Sequence, residues 1–152
     1  CVPEVKQILM KKYPSILVEN LEADDLMGML SSHTTIICSD DKDLLTIPGL
    51  HYKPRKRELG VFRISEEEAD HLHLKQTLMG DHVDGFKGIP GIGDKKSDKI
   101  LAEHGVTWGT VKRAYADHGL PEEEALLNAR LARILRPGEY DYISGTPTLW
   151  TP

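Results

Sequence analysis

Thr34-Thr35-Ile36-Ile37-Cys38, followed at once by Ser39-Asp40-Asp41-Lys42-Asp43, is the most informative stretch of this chain. The first five residues are β-branched or apolar, the profile of an interior strand in a parallel sheet. The next five form an acidic turn. In open α/β sheets ligands bind beyond the carboxyl ends of the strands, and this turn falls at that edge.

The same pattern precedes it. Residues 3–12 read as a helix with Val5, Ile8 and Leu9 on one face and Pro3 near its start. Ser15-Ile16-Leu17-Val18, after Pro14, reads as a short buried strand. Residues 22–30 read as a helix broken only by Gly28. Its first turn carries Glu22, Asp24 and Asp25, where the helix dipole favours acids. Downstream, residues 50–52 and 60–64 suggest two strands around a basic turn of Lys53, Arg55, Lys56 and Arg57. Ser65-Glu66-Glu67-Glu68 opens, in capping-box fashion, a helix to about Met79. Residues 80–93 then hold five glycines and one proline. Helices are expected over 95–103, 107–118 and 122–135, separated by glycine and proline breaks. The fold class is α/β, a parallel-sheet core followed by a helical subdomain. The expected division is 1–73 for the core, 74–136 for the helical part and 137–152 for an extended tail.

The chain has 152 residues, enough for one domain with a small appendage. No apolar run approaches the roughly 20 residues that cross a bilayer, so no membrane partner is expected. Cys1-Val2-Pro3-Glu4 is not a signal peptide, and Cys1 and Cys38 make no disulfide framework; a cytoplasmic location is the expectation. The missing initial Met suggests a fragment or a processed chain. Nineteen basic residues against 24 acidic give a net charge of −5, which by itself argues against a nucleic-acid partner. Distribution matters more. Eight acids form three groups: Glu22, Asp24 and Asp25; Asp40, Asp41 and Asp43; Asp81 and Asp84. Without them 19 basic residues face 16 acidic, a balance of +3. Acidic clusters in a mildly basic protein suit divalent cations with phosphate as the bound anion.

Glu22, Asp24, Asp25, Asp41, Asp43, Asp81 and Asp84 lie at the ends of elements, two or three residues apart within each group. Hard oxygen donors so spaced suit Mg²⁺ or Mn²⁺. Seven carboxylates exceed the needs of one Mg²⁺. Two ions about 3.5–4 Å apart would use them, the arrangement that activates water in phosphodiester hydrolysis. Each group alone would be read as caps or solvated turns; three together are not. Asp40 is expected to point away from the pair Asp41 and Asp43. An EF-hand from Asp41 fails at Thr46 and Tyr52, and zinc lacks cysteine pairs.

Gly88-Ile89-Pro90-Gly91-Ile92-Gly93 lies between two helical patterns, with Lys87, Lys95, Lys96 and Lys99 around it. Small residues let the backbone approach a phosphodiester, and the following helix presents free N–H groups. This is a helix-hairpin-helix signature for sequence-independent DNA contact. A Walker A loop is excluded, because Gly-Lys-Ser/Thr is absent.

Glu22-Ala23-Asp24-Asp25, then Ser39 with Asp41-Lys42-Asp43-Leu44, then Gly80-Asp81 with Asp84 and the glycine hairpin, resemble in order and spacing the 5′-nuclease family. That family holds flap endonucleases, the 5′-nuclease domain of bacterial DNA polymerase I and phage 5′→3′ exonucleases. The resemblance spans about residues 15–142 and looks closest to the short exonucleases of podovirus-type phages. It implies a PIN-like core, two Mg²⁺ ions (Mn²⁺ able to substitute) and a K⁺ ion at the hairpin. The implied substrate is duplex DNA with 5′ ends or flaps, cut in phage replication or recombination in the host cytoplasm. Carried over, Glu22 and Asp24 would serve one metal, and Asp25, Asp41, Asp43 and Asp84 the other, with Asp81 nearby. Gly88, Gly91 and Gly93 would form the hairpin. Gly85 replaces the family's usual Asn. The family's opening strand, with a further metal-binding Asp, and its basic arch have no counterpart before Glu22. The chain therefore looks N-terminally truncated, with that segment as a separate chain as one expectation. Two readings stand: a metal-dependent 5′→3′ exonuclease/flap endonuclease, or a non-catalytic, structure-selective DNA-binding module. A Mg²⁺-dependent phosphatase on Asp41 and Asp43 is remoter, since it leaves the hairpin unexplained.

Overall fold

The computed structural model describes residues 2–152, so Cys1 lies outside the described residues; Cys38 is an exposed free thiol. Helix α1 (Val2–Lys12) leads through an irregular segment to α2 (Ala23–Met29). A three-stranded sheet follows, β1 (Ile36–Cys38), β2 (Gly49–Tyr52) and β3 (Val61–Ile64), in that spatial order. β1 runs parallel to β2, with Cys38 opposite Tyr52, and β3 is antiparallel to β2. The α/β class and the helical second half agree with expectation.

Helix α3 (Glu66–Met79) begins with the expected capping box. The Ser65 hydroxyl accepts from the Glu68 N–H at 3.1 Å, and the Glu68 carboxylate accepts from the Ser65 N–H at 2.8 Å. Helices α4 (Asp94–His104), α5 (Trp108–Asp117) and α6 (Glu122–Leu131) pack against α3 around Leu74, Leu78, Ile89, Leu101, Val111 and Tyr115. The Tyr115 hydroxyl donates to the Thr77 carbonyl at 2.6 Å inside this core, so its polar end is satisfied. A smaller cluster of Ile37, Leu44 and Ile47 lies under the sheet. The expected boundary near residue 74 falls inside α3, a continuous helix. The short 3₁₀ helix Asp43–Thr46 packs against one part of it and α4–α6 against another.

Four expectations need correction. Residues 15–18 form no strand, and Ile16 and Leu17 are 64% and 59% exposed. Strands exist through backbone pairing, and among the described residues no strand pairs with this run; apolar composition alone cannot make one. β1 is parallel but lies at the sheet edge among the described residues, with Ile36 exposed, rather than in the interior. It starts at Ile36 because the Ser32, Thr34 and Thr35 hydroxyls hold a local turn. Helix α6 stops at Leu131, where the Ala132 N–H closes on the Asn128 carbonyl, instead of running to 135. The tail is not a simple strap. It folds into a hairpin of β4 (Tyr140–Asp141) and β5 (Thr146–Pro147), and Trp150 packs edge-on against His73 and Trp108.

Candidate metal centre

Three pieces of chain meet at the carboxyl edge of the sheet. The first is the N-terminal turn of α2, with Glu22 as its cap residue. Gly28 sets its depth. A Cβ there would lie 2.0 Å from the Leu135 carbonyl oxygen, so only glycine lets α2 approach the segment after α6. The Leu135 N–H donates to Asp25 Oδ1 at 3.1 Å and fixes the same contact.

The second piece is the acidic turn after β1. The Ser39 hydroxyl accepts from the Asp41 N–H at 3.1 Å, and Asp41 Oδ1 accepts from the Asp43 N–H at 3.0 Å. These Asx- and Ser-type turns orient the carboxylates locally.

The third piece is the loop after α3. The Asp81 N–H donates to the Phe86 carbonyl at 2.9 Å and the Phe86 N–H to the Asp81 carbonyl at 3.0 Å, closing a short loop that presents Asp84. Gly80 and Gly88 clamp its base. Both have positive φ, and a Cβ on either would come within 2.3 Å of the other's strand of backbone.

Glu22, Asp24, Asp25, Asp41, Asp43 and Asp84 all line one cleft of about 670 Å³. Asp81 sits just beneath, nearly buried. One oxygen from each of Asp43, Asp81 and Asp84 lies within 4.8 Å of the others. Asp40 faces outward, accepting the Arg55 N–H at 2.9 Å, as the alternation of the turn suggested.

The electrostatics follow from this crowding. Partial burial, then Asp41, Glu22, Asp25 and Asp84, raises the pKa of Asp24 above the usual carboxylate range. Partial burial raises that of Asp43, with Asp41, Asp81 and Asp84 adding to it and Lys42 opposing. Asp81 is held low by the Val83 N–H, at 2.8 Å, and by the Lys42 ammonium, at 3.1 Å. Carboxylates that resist ionisation beside one another, in an all-oxygen donor set, fit divalent cations.

Sequence reading missed three residues of the cleft: Gln76, Arg130 and Arg133. Gln76 is buried, its amide donates to Asp43 Oδ1, and its carbonyl oxygen has no partner among the described residues. Its one signal is position, a single helical turn before Gly80. Arg130 stands in the last turn of α6 and Arg133 two residues beyond its end, and neither carried a motif in the sequence. Arg133 is paired with Glu139, and Arg130 donates to the Trp150 carbonyl at 3.2 Å.

The hairpin forms where expected. Gly88 and Gly91 have positive φ, Gly93 caps α4, and Lys87, Lys95, Lys96 and Lys99 are exposed around it. The Lys96 ammonium folds back onto the Gly91 carbonyl at 2.8 Å, and Lys99 lies 3.7 Å from Glu103. Lys87 and Lys95 have no carboxylate within ion-pair distance among the described residues.

No family model matches this chain. The exodeoxyribonuclease of Enterobacteria phage T3 is 32% identical across 87% of this chain and 56% of its own length. The exonuclease of Escherichia phage T7 is 31% identical over the same shares. DNA polymerase I of Rhizobium leguminosarum is 31% identical across 81% of this chain and 14% of its own length. This chain thus spans about half the length of the phage relatives it matches. A solved mutant of the T5 5′-exonuclease shares the fold at a TM-score of 0.54. It is 18% identical and covers 86% of this chain and 67% of the other.

Proposed function

The chain belongs to the 5′-nuclease family, and from that premise we propose that it carries the cleft of a Mg²⁺-dependent 5′→3′ exonuclease/flap endonuclease. The observation that supports this is the convergence of six separated carboxylates on one cleft, with a seventh beneath it. The proposed ligands are Glu22 and Asp24 on one side and Asp25, Asp41, Asp43 and Asp84 on the other, with Asp81 in support. Divalent cations held there would supply Lewis acidity and offset the charge on the phosphate. Mn²⁺ would serve in place of Mg²⁺.

The protein's own groups do the positioning. The Gln76 amide keeps Asp43 pointed into the cleft. Lys42 and the Val83 N–H keep Asp81 ionised beneath it. The closed loop over residues 81–86 holds Asp84 at a set distance from Asp81. The glycine hairpin, with Lys87, Lys95, Lys96 and Lys99, grips the DNA backbone without reading bases, and its backbone carbonyls suit a K⁺ ion. No side chain need serve as nucleophile.

The test is cleavage of 5′-labelled duplex and flapped DNA in Mg²⁺ and in EDTA. Cleavage is expected only with the metal. Asp41→Ala or Asp84→Ala should lower it on the order of 10³-fold or more, since metal stabilisation is worth several kcal/mol, while binding is largely kept. Undiminished cleavage in both variants removes the metal reading. Binding without cleavage under any divalent ion makes the chain a DNA-binding module instead.

A further inference from the structure

Six carboxylates line the cleft, and two arginines line it with them. The two cations are in different states. Arg133 is taken up by Glu139: its Nε donates to one carboxylate oxygen at 3.0 Å and an Nη to the other, and its side chain is 8% exposed. Arg130 is half-buried and has no carboxylate within ion-pair distance among the described residues. Among those residues it is the one uncompensated cation in the lining of the cleft.

The end of α6 is held from two sides. The buried His73 ring donates to the Ala129 carbonyl at 2.8 Å. Arg130 Nε donates to the Trp150 carbonyl at 3.2 Å, and the Trp150 ring packs edge-on against His73 and Trp108, with centroids 5.1 and 5.4 Å apart. A guanidinium carries five N–H groups. With Nε engaged, the four on the two Nη atoms remain, and they have no partner among the described residues. The tail thus fixes the arginine by one nitrogen and leaves its paired end free.

Arg130 also stands at a boundary. A second cavity of about 280 Å³ adjoins the cleft; Asn20, Asp25, Arg130 and Arg133 line both, and Tyr140 of the tail hairpin lines the second. An acidic cleft repels a nucleic-acid strand except where cations face it. The proposed divalent ions would answer for the phosphate they act on, but not for the next one along the strand. A guanidinium with both Nη groups free can take two oxygens of that phosphate at once.

We propose, on the nuclease reading above, that Arg130 binds the phosphate next to the scissile one, where the strand passes from the acidic cleft to the adjoining cavity.

The experiment is fluorescence anisotropy of a labelled duplex with a 5′ overhang, in EDTA and again in Ca²⁺. Single phosphates of the strand that carries the 5′ end are replaced, one at a time, by neutral methylphosphonates. The variants are Arg130→Gln and Arg130→Lys, and circular dichroism confirms folding of each. In the unaltered chain one position should cost about tenfold or more in affinity, the size of a lost charge-assisted hydrogen bond. In Arg130→Gln the same replacement should cost less than about twofold, because the contact is already gone. That variant should bind the unmodified duplex about tenfold more weakly, with a salt slope lower by about 0.9. Arg130→Lys should keep the slope but recover only part of the affinity, since a point charge lacks the fork. The sensitive phosphate should adjoin the bond that opens when the unmodified strand is cut in Mg²⁺.

A position that stays equally sensitive in Arg130→Gln, or no sensitive position in the unaltered chain, overturns this inference. So does an affinity loss in Arg130→Gln with no position singled out, which a merely structural role would give, or a sensitive phosphate several nucleotides from the opened bond. Each of these leaves the nuclease reading standing, since cleavage by Asp41→Ala and Asp84→Ala decides it separately. If the unaltered chain binds no DNA in either condition, both readings fall together.

Discussion

The sheet half and the helical half are built on different terms. From α3 onward, nine fully or nearly buried residues form one cluster around Leu78 and Tyr115. The sheet has three, and α1 with the segment after it leaves Ile8, Ile16 and Leu17 more than half exposed. Yet all five cleft-lining acids before Asp84, namely Glu22, Asp24, Asp25, Asp41 and Asp43, stand on the lightly packed half. What holds them is a set of polar ties to the other half. The Leu135 N–H reaches Asp25, Gln76 reaches Asp43, and Lys42 reaches Asp81. The buried Arg136 guanidinium donates to the Thr46 carbonyl at 2.8 Å and pairs with Asp70 at 2.7 Å. The helical half acts as the frame, and the acidic turn hangs on it.

That contrast predicts unequal responses. Leu78→Ala, at a fully buried site, should cost about 2–5 kcal/mol of unfolding free energy in a denaturant titration. An unchanged midpoint would mean the helical core is not the frame.

Acid should divide the halves by sign. Burial pushes the His73 pKa down to about 4, and its Nε2–H donates to the Ala129 carbonyl at 2.8 Å. A base held neutral contributes stability that is complete above its unfolded pKa near 6.5 and is lost as pH falls toward about 4. The loss is about 3 kcal/mol. Asp24 and Asp43 run the other way. Their raised pKa values mean that metal-free protein is relieved of repulsion as pH falls through them, and Mg²⁺ held as proposed above would give the same relief at neutral pH. Thermal melts should therefore show a Mg²⁺-dependent rise in Tm at pH 7 that shrinks toward pH 4, on a background of falling stability. A Mg²⁺ effect that is constant with pH would contradict the cleft assignment.

Gln76→Leu keeps the packing volume but removes the donor to Asp43. It should weaken Mn²⁺ binding about 10–100-fold by titration calorimetry, the size found when a ligand's supporting contact is lost. Gln76→Glu, which adds a repelling charge beside Asp43, should be worse than Gln76→Leu; the reverse order would show that Gln76 is only a filler. The smallest effect is expected at Ile16→Ser. With the side chain exposed, the unfolding midpoint of this chain should move by less than about 0.5 kcal/mol. A larger shift would mean that this segment packs against something.

Much was legible in the residues themselves. Periodicity and breakers located α1 through α5 closely, because amphipathic spacing and caps act within one or two turns. Ser65 and Glu68 announced the start of α3, and the glycine hairpin announced itself. The three acidic groups were recognisable from type and spacing, and Asp40 was rightly set apart. The strand at residues 15–18, the interior placement of β1 and the end of α6 were misread, because each depends on what lies beside it in space.

Local chemistry, carried by neighbours a few positions away, thus determined which residues could form turns, caps and helices, and which carboxylates could act as ligands. Only the packed chain decided that acids as far apart as Glu22 and Asp84 line one cleft. It also decided that Gln76 and two arginines join them there, that Gly28 sets the depth of α2 against Leu135, and that a basic turn lies one strand away. Those are contacts across many tens of residues, governed by backbone pairing and close packing, which no short window of sequence encodes.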